Sequence, residues 1–302
     1  MKITSLVENT SRTGLPVEHG LSLHISLDDG RQILFDMGQR RLFAENAARL
    51  GVNLTDVEFA VVSHGHYDHG GGLHTFLELN RHAKVYLNRH AFEPHYSLRE
   101  DGLKYIGLSP ELKGHDRLVA CGDAETRIAR DIILFAGVKS DSLKPPGNRL
   151  LFGPDQDSND DFCHEQSLII QEHGHAVLFA GCAHCGIVNI MQKAEAAISR
   201  PLTHVFAGMH LVKSGLTEEA ETAFIRALAG ILQCIIVIGI RCHQNLFVYF
   251  YIRSAVLAVI SLAKFCTAII TSHEKPLYLS CHCACDLPVI CSAALIPAAF
   301  PA

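Results

Sequence analysis

The stretch Phe59-Ala60-Val61-Val62-Ser63-His64-Gly65-His66-Tyr67-Asp68-His69-Gly70-Gly71-Gly72 sets three histidines and one carboxylate into six consecutive positions, between an apolar run and three glycines. The apolar run has the length and composition of a short buried strand. The glycines permit a tight turn into the next element. Along an extended chain, residues two apart point the same way, so His64 and His66 can grip one cation from a strand end. Asp68 and His69 follow where the chain turns and can reach a second cation nearby. Imidazole with carboxylate suits zinc, iron or manganese. In a chain with 19 histidines, a lone His-x-His would read as a surface cluster. Four ligand-type residues at this spacing, between a strand and a turn, do not.

The chain has 302 residues, 48% of them hydrophobic, which is enough for a sizeable core in one large or two ordinary domains. A net charge of −5 argues against general nucleic-acid binding, which needs a basic face. The start of the chain turns polar at Glu8-Asn9, too soon for a secretory signal, and a cytoplasmic location is expected. In a reducing compartment Cys121, Cys163, Cys182 and Cys185 are expected to be free thiols or metal neighbours rather than disulfides. The other seven of the 11 cysteines follow residue 230, where charged residues thin to Arg241, Arg253, Lys264, Glu274, Lys275 and Asp286. The two parts of the chain need separate explanations.

Strands are expected at Lys2–Glu8, Ser22–Leu27, Gln32–Asp36, Lys84–Asn88, Ile132–Phe135 and His204–Ala207, with a last one at Cys234–Ile240. Ser167–Gln171 and Ala176–Ala180 read as a hairpin turning at His173-Gly174. Helices are expected at Arg41–Leu50, Leu73–Arg81, Gly186–Ser199 before Pro201, and Glu218–Leu228 behind a Thr217 cap. Residues 90–120 read as polar and weakly periodic, with His90, His95 and His115 in solvated loops. The long segment around Lys144-Pro145-Pro146-Gly147 and Gly153–Asp161 reads as a loop, and loops this long often serve function.

Several of these stretches resemble a known family. His64-Gly65-His66-Tyr67-Asp68-His69 resembles the His-x-His-x-Asp-His motif of the metallo-β-lactamase superfamily. Ile33-Leu34-Phe35-Asp36-Met37-Gly38 is similar to its early strand and Asp-x-Gly turn. Gly181-Cys182-Ala183-His184-Cys185-Gly186-Ile187-Val188-Asn189 resembles an element of the subgroup of dihydropterin-ribofuranosylaminobenzene-phosphate synthase-like metallo-hydrolases. Gly208-Met209-His210-Leu211 is similar to that subgroup's Gly-Gly-Phe-His-Leu, with Met209 in place of Phe and Ala207 in place of the first Gly. Glu18-His19-Gly20-Leu21-Ser22 and Cys163-His164-Glu165-Gln166 resemble further subgroup elements. Where the subgroup ends a strand with His-Cys-Thr-Gly, this chain has Arg241-Cys242-His243-Gln244-Asn245, and resemblance stops.

The resemblance implies an α+β fold, the four-layer αβ/βα sandwich. It implies one ion held by His64, His66 and His184, and a second by Asp68, His69 and His243, with His210 near both. Asp36 would brace the metal-binding loop. His19 reads equally as a loop residue or as part of the metal cleft, and His164 as a pocket residue. Cys182 is expected beside the metals without binding them. Cys182–Cys185 also makes a Cys-x-x-Cys, but the histidine-rich setting argues against a thioredoxin-like role.

The expected activity is a metal-dependent hydrolase that uses a metal-bound hydroxide on an anionic small-molecule ester, a phosphoester or similar. Asp68 is its expected catalytic residue, orienting water. The expected cofactors are two divalent transition-metal ions, zinc first, with iron or manganese as alternatives. No nucleic acid and no membrane partner are expected, unless the tail is an anchor. An iron redox protein of the same fold, or an impaired product with a disrupted C-terminus, are the other readings. The domain boundary is placed at residues 1–243 and 244–302. A reading-frame disruption accounts best for the tail. A membrane anchor would need ~20 largely uncharged residues, which Arg253 and Lys264 interrupt, and a zinc knuckle would need a second ligand pair.

Overall fold

The computed structural model describes residues 1–11, 13–139, 143–208, 210 and 217, and the backbone of 236–240 and 249–250. The chain begins with strands β1 (Lys2–Val7), β2 (Ser22–Ser26) and β3 (Gln32–Phe35), then helix α1 (Leu42–Arg49) and strand β4 (Phe59–Val61). The metal-type motif follows as a single turn, α2 (Tyr67–Gly70), and then α3 (Leu73–Leu79), β5 (Lys84–Asn88), β6 (Tyr96–Arg99), β7 (Gly102–Tyr105) and β8 (Leu118–Cys121). These strands, without β6 and β7, form one mixed sheet in the order β1-β2-β3-β4-β5-β8. Its first pairs are antiparallel, and those from β3 onward are parallel.

The second half repeats the scheme. It holds β9 (Thr126–Ala129), β10 (Ile132–Ala136), β11 (Leu151–Phe152), β12 (Gln166–Glu172), β13 (His175–Ala180), α4 (Ile187–Ile198), β14 (His204–Gly208), β15 (Ile236–Ile240) and β16 (Tyr249–Phe250). The second sheet runs β16-β15-β14-β13-β12-β10-β9. The β12–β13 hairpin turns at His173 and Gly174, both at positive φ. Helix α4 ends with Ser199 in the left-handed conformation, just before Pro201.

Period-two alternation explains the layers. In β3, Ile33 and Phe35 face the second sheet and join Ile25, Val61, Leu134, Leu168 and Phe179 in one buried cluster. Leu34, between them, faces the other way and packs with Phe43 of α1 and Phe76 of α3. In β10, Ile132 and Leu134 point to the inter-sheet core, while Ile133 and Phe135 pack with Ile187, Ile190 and Met191 of α4. Strands buried on both faces carry near-continuous apolar sequence, which is why Ile132–Phe135 is legible without alternation. The arrangement is helix, sheet, sheet, helix.

One expectation needs correction. Residues 90–120 are not a polar loop throughout: β6 and β7 form a hairpin, β11 joins its edge, and β8 closes the first sheet. β6 and β7 are short and half-exposed and carry no hydrophobic run to read, whereas β8 is an apolar run of only four residues, Leu118-Val119-Ala120-Cys121. In the second sheet, Tyr249–Phe250 pairs with β15. The rest of 244–302, and the helix expected at Glu218–Leu228, lie outside the described residues. Among the described residues no helix is long and apolar enough to cross a membrane.

Candidate metal centre

The site is built where β3, β4 and β13 end. Asp36, directly after β3, takes a positive φ that aims its buried carboxylate at the start of the histidine motif. Its Oδ1 accepts the Ser63 backbone N–H at 2.7 Å, and its Oδ2 accepts the Ser63 hydroxyl at 2.8 Å and His69 Nδ1–H at 2.6 Å. Ser63 Oγ, having given its proton to Asp36, accepts from His64 Nδ1–H at 2.8 Å. One carboxylate thereby sets two tautomers, because a ring that donates through Nδ1 keeps its lone pair on Nε2.

His184 is fixed by a second set of contacts. Ala183 before it sits at φ 54°, and Glu165 holds the turn by accepting the N–H of His184 at 2.7 Å and of Cys185 at 2.8 Å. Burial pushes the Glu165 carboxyl up, and those backbone N–H groups oppose it. Asn148 accepts His184 Nδ1–H at 2.9 Å and donates to the His184 carbonyl at 2.8 Å. Phe162 stacks on the ring at 4.4 Å between centroids. The Nε2 lone pair of His184 is again the free end.

The Nε2 atoms of His64, His66 and His184 are buried and have no hydrogen-bond partner among the described residues. Donor atoms of these three residues lie within 4.8 Å of one another. An unsatisfied buried polar atom costs about 1–3 kcal/mol, and three converging on one point is an arrangement that a cation would repay. Burial first, then the neighbouring imidazoles, hold all three pKa values well below the ordinary histidine value. The rings are neutral, as ligation requires. The residues present therefore fit a transition-metal ion.

His69 Nε2 lies 3.1 Å from Cys182 Sγ and 3.8 Å from Asp68 Oδ2. Asp68 Oδ2 is 3.2 Å from His19 Nε2, and Gly20 packs against the Asp68 carbonyl so closely that a Cβ would sit 2.1 Å from it. The stretch around His19 thus belongs to the cleft rather than to a remote loop. His210 brings its ring within 4.5 Å of His184, centroid to centroid, and its donor atom joins those of Cys182 and His184. His243 lies outside the described residues. Among the described residues no disulfide joins Cys182 or Cys185.

A further layer of residues stands behind the motif. His164 Nδ1 accepts the Gly65 N–H at 2.9 Å, so its proton is on Nε2, directed at Asp160 Oδ2 at 3.3 Å. Asp160 Oδ2 also accepts His95 Nδ1–H at 2.8 Å. Burial alone would raise the Asp160 carboxyl, but the hydrogen bonds from His164 and His95 outweigh it and hold it far below the carboxylate range. His95 is buried, which corrects its reading as a solvated loop residue. His90 and His115 are half-buried and pair with Glu93 and Asp116. Asn148 and Asp160 reach the site from loops distant in sequence, and no spacing could have revealed them, whereas His164 and Glu165 lie in a stretch that resembles a subgroup element.

The sequence model of the metallo-beta-lactamase superfamily matches residues 21–185, more than half of the chain. The chain belongs to the metallo-beta-lactamase superfamily. An uncharacterised protein of Methanocaldococcus jannaschii is 29% identical over 216 residues, covering 70% of this chain and 79% of that protein. The 7,8-dihydropterin-6-methyl-4-(beta-D-ribofuranosyl)-aminobenzene-5'-phosphate synthase of the same organism is 24% identical over 249 residues, 76% and 83% of the two chains. A crystal structure of a metal-dependent hydrolase of the beta-lactamase superfamily superposes with a TM-score of 0.64 at 27% identity, covering 80% of this chain and 88% of the other. The sandwich and the hydrolase-type, metal-binding character of the superfamily agree with the site described above.

Proposed function

We propose that this chain is a metal-dependent hydrolase with two divalent ions, zinc foremost, acting in the cytoplasm on an anionic small-molecule ester such as a phosphoester. The observation that carries the reading is the convergence of the three buried, unpartnered Nε2 atoms of His64, His66 and His184. These three would hold one ion. Asp68 and His69 would serve the other, with His210 beside both and His243 as a further candidate. When bound, such ions supply Lewis acidity that polarises a substrate oxygen and brings the proton loss of a water toward neutral pH.

The protein groups do the rest. Asp36 and Asn148 keep the imidazoles in the tautomer that offers Nε2. Asp68 Oδ2, between His19 and His69, is placed to take up and pass on a proton. Phe162, stacked on His184, shields the ligand ring from water. A phosphate-bearing substrate is supported by the relative whose name carries a 5'-phosphate.

Metal analysis of the full chain beside its His66→Ala variant tests the proposal. The expected result is the loss of one ion per chain, with loss of most hydrolysis of generic phosphoesters. Full metal loading and unchanged turnover in the variant would overturn it. Iron with a visible spectrum and no hydrolysis would place the chain among redox proteins of this fold instead.

A further inference from the structure

Among the described residues, Cys182 is the one soft donor at the centre of this cluster. Its side chain is buried, and Sγ lies 3.1 Å from His69 Nε2. Because His69 gives its only ring proton to Asp36 through Nδ1, the nitrogen facing the sulfur is a lone-pair nitrogen. The donor atom of Cys182 also lies within 4.8 Å of donor atoms on two sides, those of His64 and His69 on one and those of His184 and His210 on the other. A structural cysteine sits among apolar side chains. This one sits among four imidazoles, in a pocket where His64 Nε2 and His184 Nε2 have no hydrogen-bond partner among the described residues. The backbone makes the placement specific. Ala183 is held at positive φ, and a Cβ on Gly181 would lie 2.2 Å from Ser63 Oγ, so the Gly181–Ala183 turn presses directly on the motif that carries His64.

Resting on the two-ion reading above, we propose that Cys182 is itself a metal ligand. Its thiolate and His69 Nε2 form the core of the second ion position, with Asp68 Oδ2 3.8 Å from the same nitrogen. Binding converts an S–H···N hydrogen bond into two metal contacts. The thiol proton leaves to solvent, and no electron is transferred. A thiolate in the donor set selects borderline and soft ions, zinc or cobalt, over manganese. This narrows the choice of metal that the motif alone left open, and it revises the expectation that Cys182 is a bystander.

The test is cobalt substitution of the full chain, read by absorption. Cobalt held by imidazole and carboxylate gives only visible ligand-field bands, whereas a thiolate adds a strong near-ultraviolet charge-transfer band. The chain has 11 cysteines, so the decisive quantity is the difference between wild type and Cys182→Ser, with Cys185→Ser as control. Loss of near-ultraviolet intensity in Cys182→Ser alone, with the visible bands retained, is the expected result. Cys182→Ala makes the same comparison should the serine variant fail to fold. Visible bands in the wild type with near-ultraviolet intensity that neither Cys182 variant reduces would overturn the ligand role while leaving the two-ion reading standing. Absence of any cobalt binding in the wild type would overturn both.

Discussion

His69 Nδ1 and Asp36 Oδ2 are 2.6 Å apart, although the residues are 33 positions apart in the chain. The contact ties the turn after β3 to the turn after β4, and it turns a carboxylate with no solvent exposure into the anchor of the whole motif. Asp36 also carries both hydrogen bonds from Ser63, so its three acceptor contacts stand or fall together.

Asp36→Asn places an amide N–H₂ where a lone pair is needed. At least one of Ser63 or His69 then faces a donor. The expected loss is about 1.5–3 kcal/mol of stability, the range for hydrogen bonds to a charged group. Metal affinity is expected to fall roughly 10–100-fold, as when a ligand's orienting partner is removed. Urea unfolding and metal titration measure the two effects separately.

Gly65 has no room for a side chain. A Cβ there would lie 2.4 Å from the Ala91 carbonyl oxygen and 2.9 Å from His95 Nε2. The first is backbone and cannot swing away. Gly65→Ala is expected to cost about 1–3 kcal/mol through overpacking, whereas Gly153→Ala, with nothing within 4 Å, should be near neutral. Equal midpoints in thermal unfolding would refute the packing account.

Asp160 acts through His164 on the Gly65 amide. Asp160 Oδ2 accepts from both rings, so Asp160→Ala leaves His164 and His95 without that acceptor, and a loss of about 1.5–3 kcal/mol is expected. The distinctive readout is hydrogen exchange. The Gly65 N–H should exchange faster in the variant than other amides of the same turn, because the imidazole that accepts it is no longer held.

Away from the metal cleft, His204 supplies a pH dependence. Burial first, and then His175, hold its pKa below the ordinary value. Unfolded, it takes up a proton near pH ~6.5. Below that pH the unfolded chain binds a proton that the folded chain refuses, so stability falls as pH drops, from about 6.5 down to the folded-state pKa. The slope for one such group is at most about 1.4 kcal/mol per pH unit. His204→Gln should flatten the stability–pH profile in that window; an unchanged slope would remove His204 as its source.

By itself the sequence determined the features that rest on local spacing. A strand of four apolar residues followed by His64-Gly65-His66 can only present both rings on one side. Ile132–Phe135 reads as a short strand from its apolar run. Asp36 after β3 and His184 after β13 were legible through the family motifs that their stretches resemble. Only the tertiary structure decided the partners that make those rings usable. Asn148 reaches His184 across 36 positions, His164 reaches Gly65 across 99, and Cys182 reaches His69 across 113. A side chain's spacing fixes its direction relative to residues a few positions away. Which distant group it meets depends on how two sheets close face to face, and that is set by the packing of Phe35, Phe179 and the rest of the core between them.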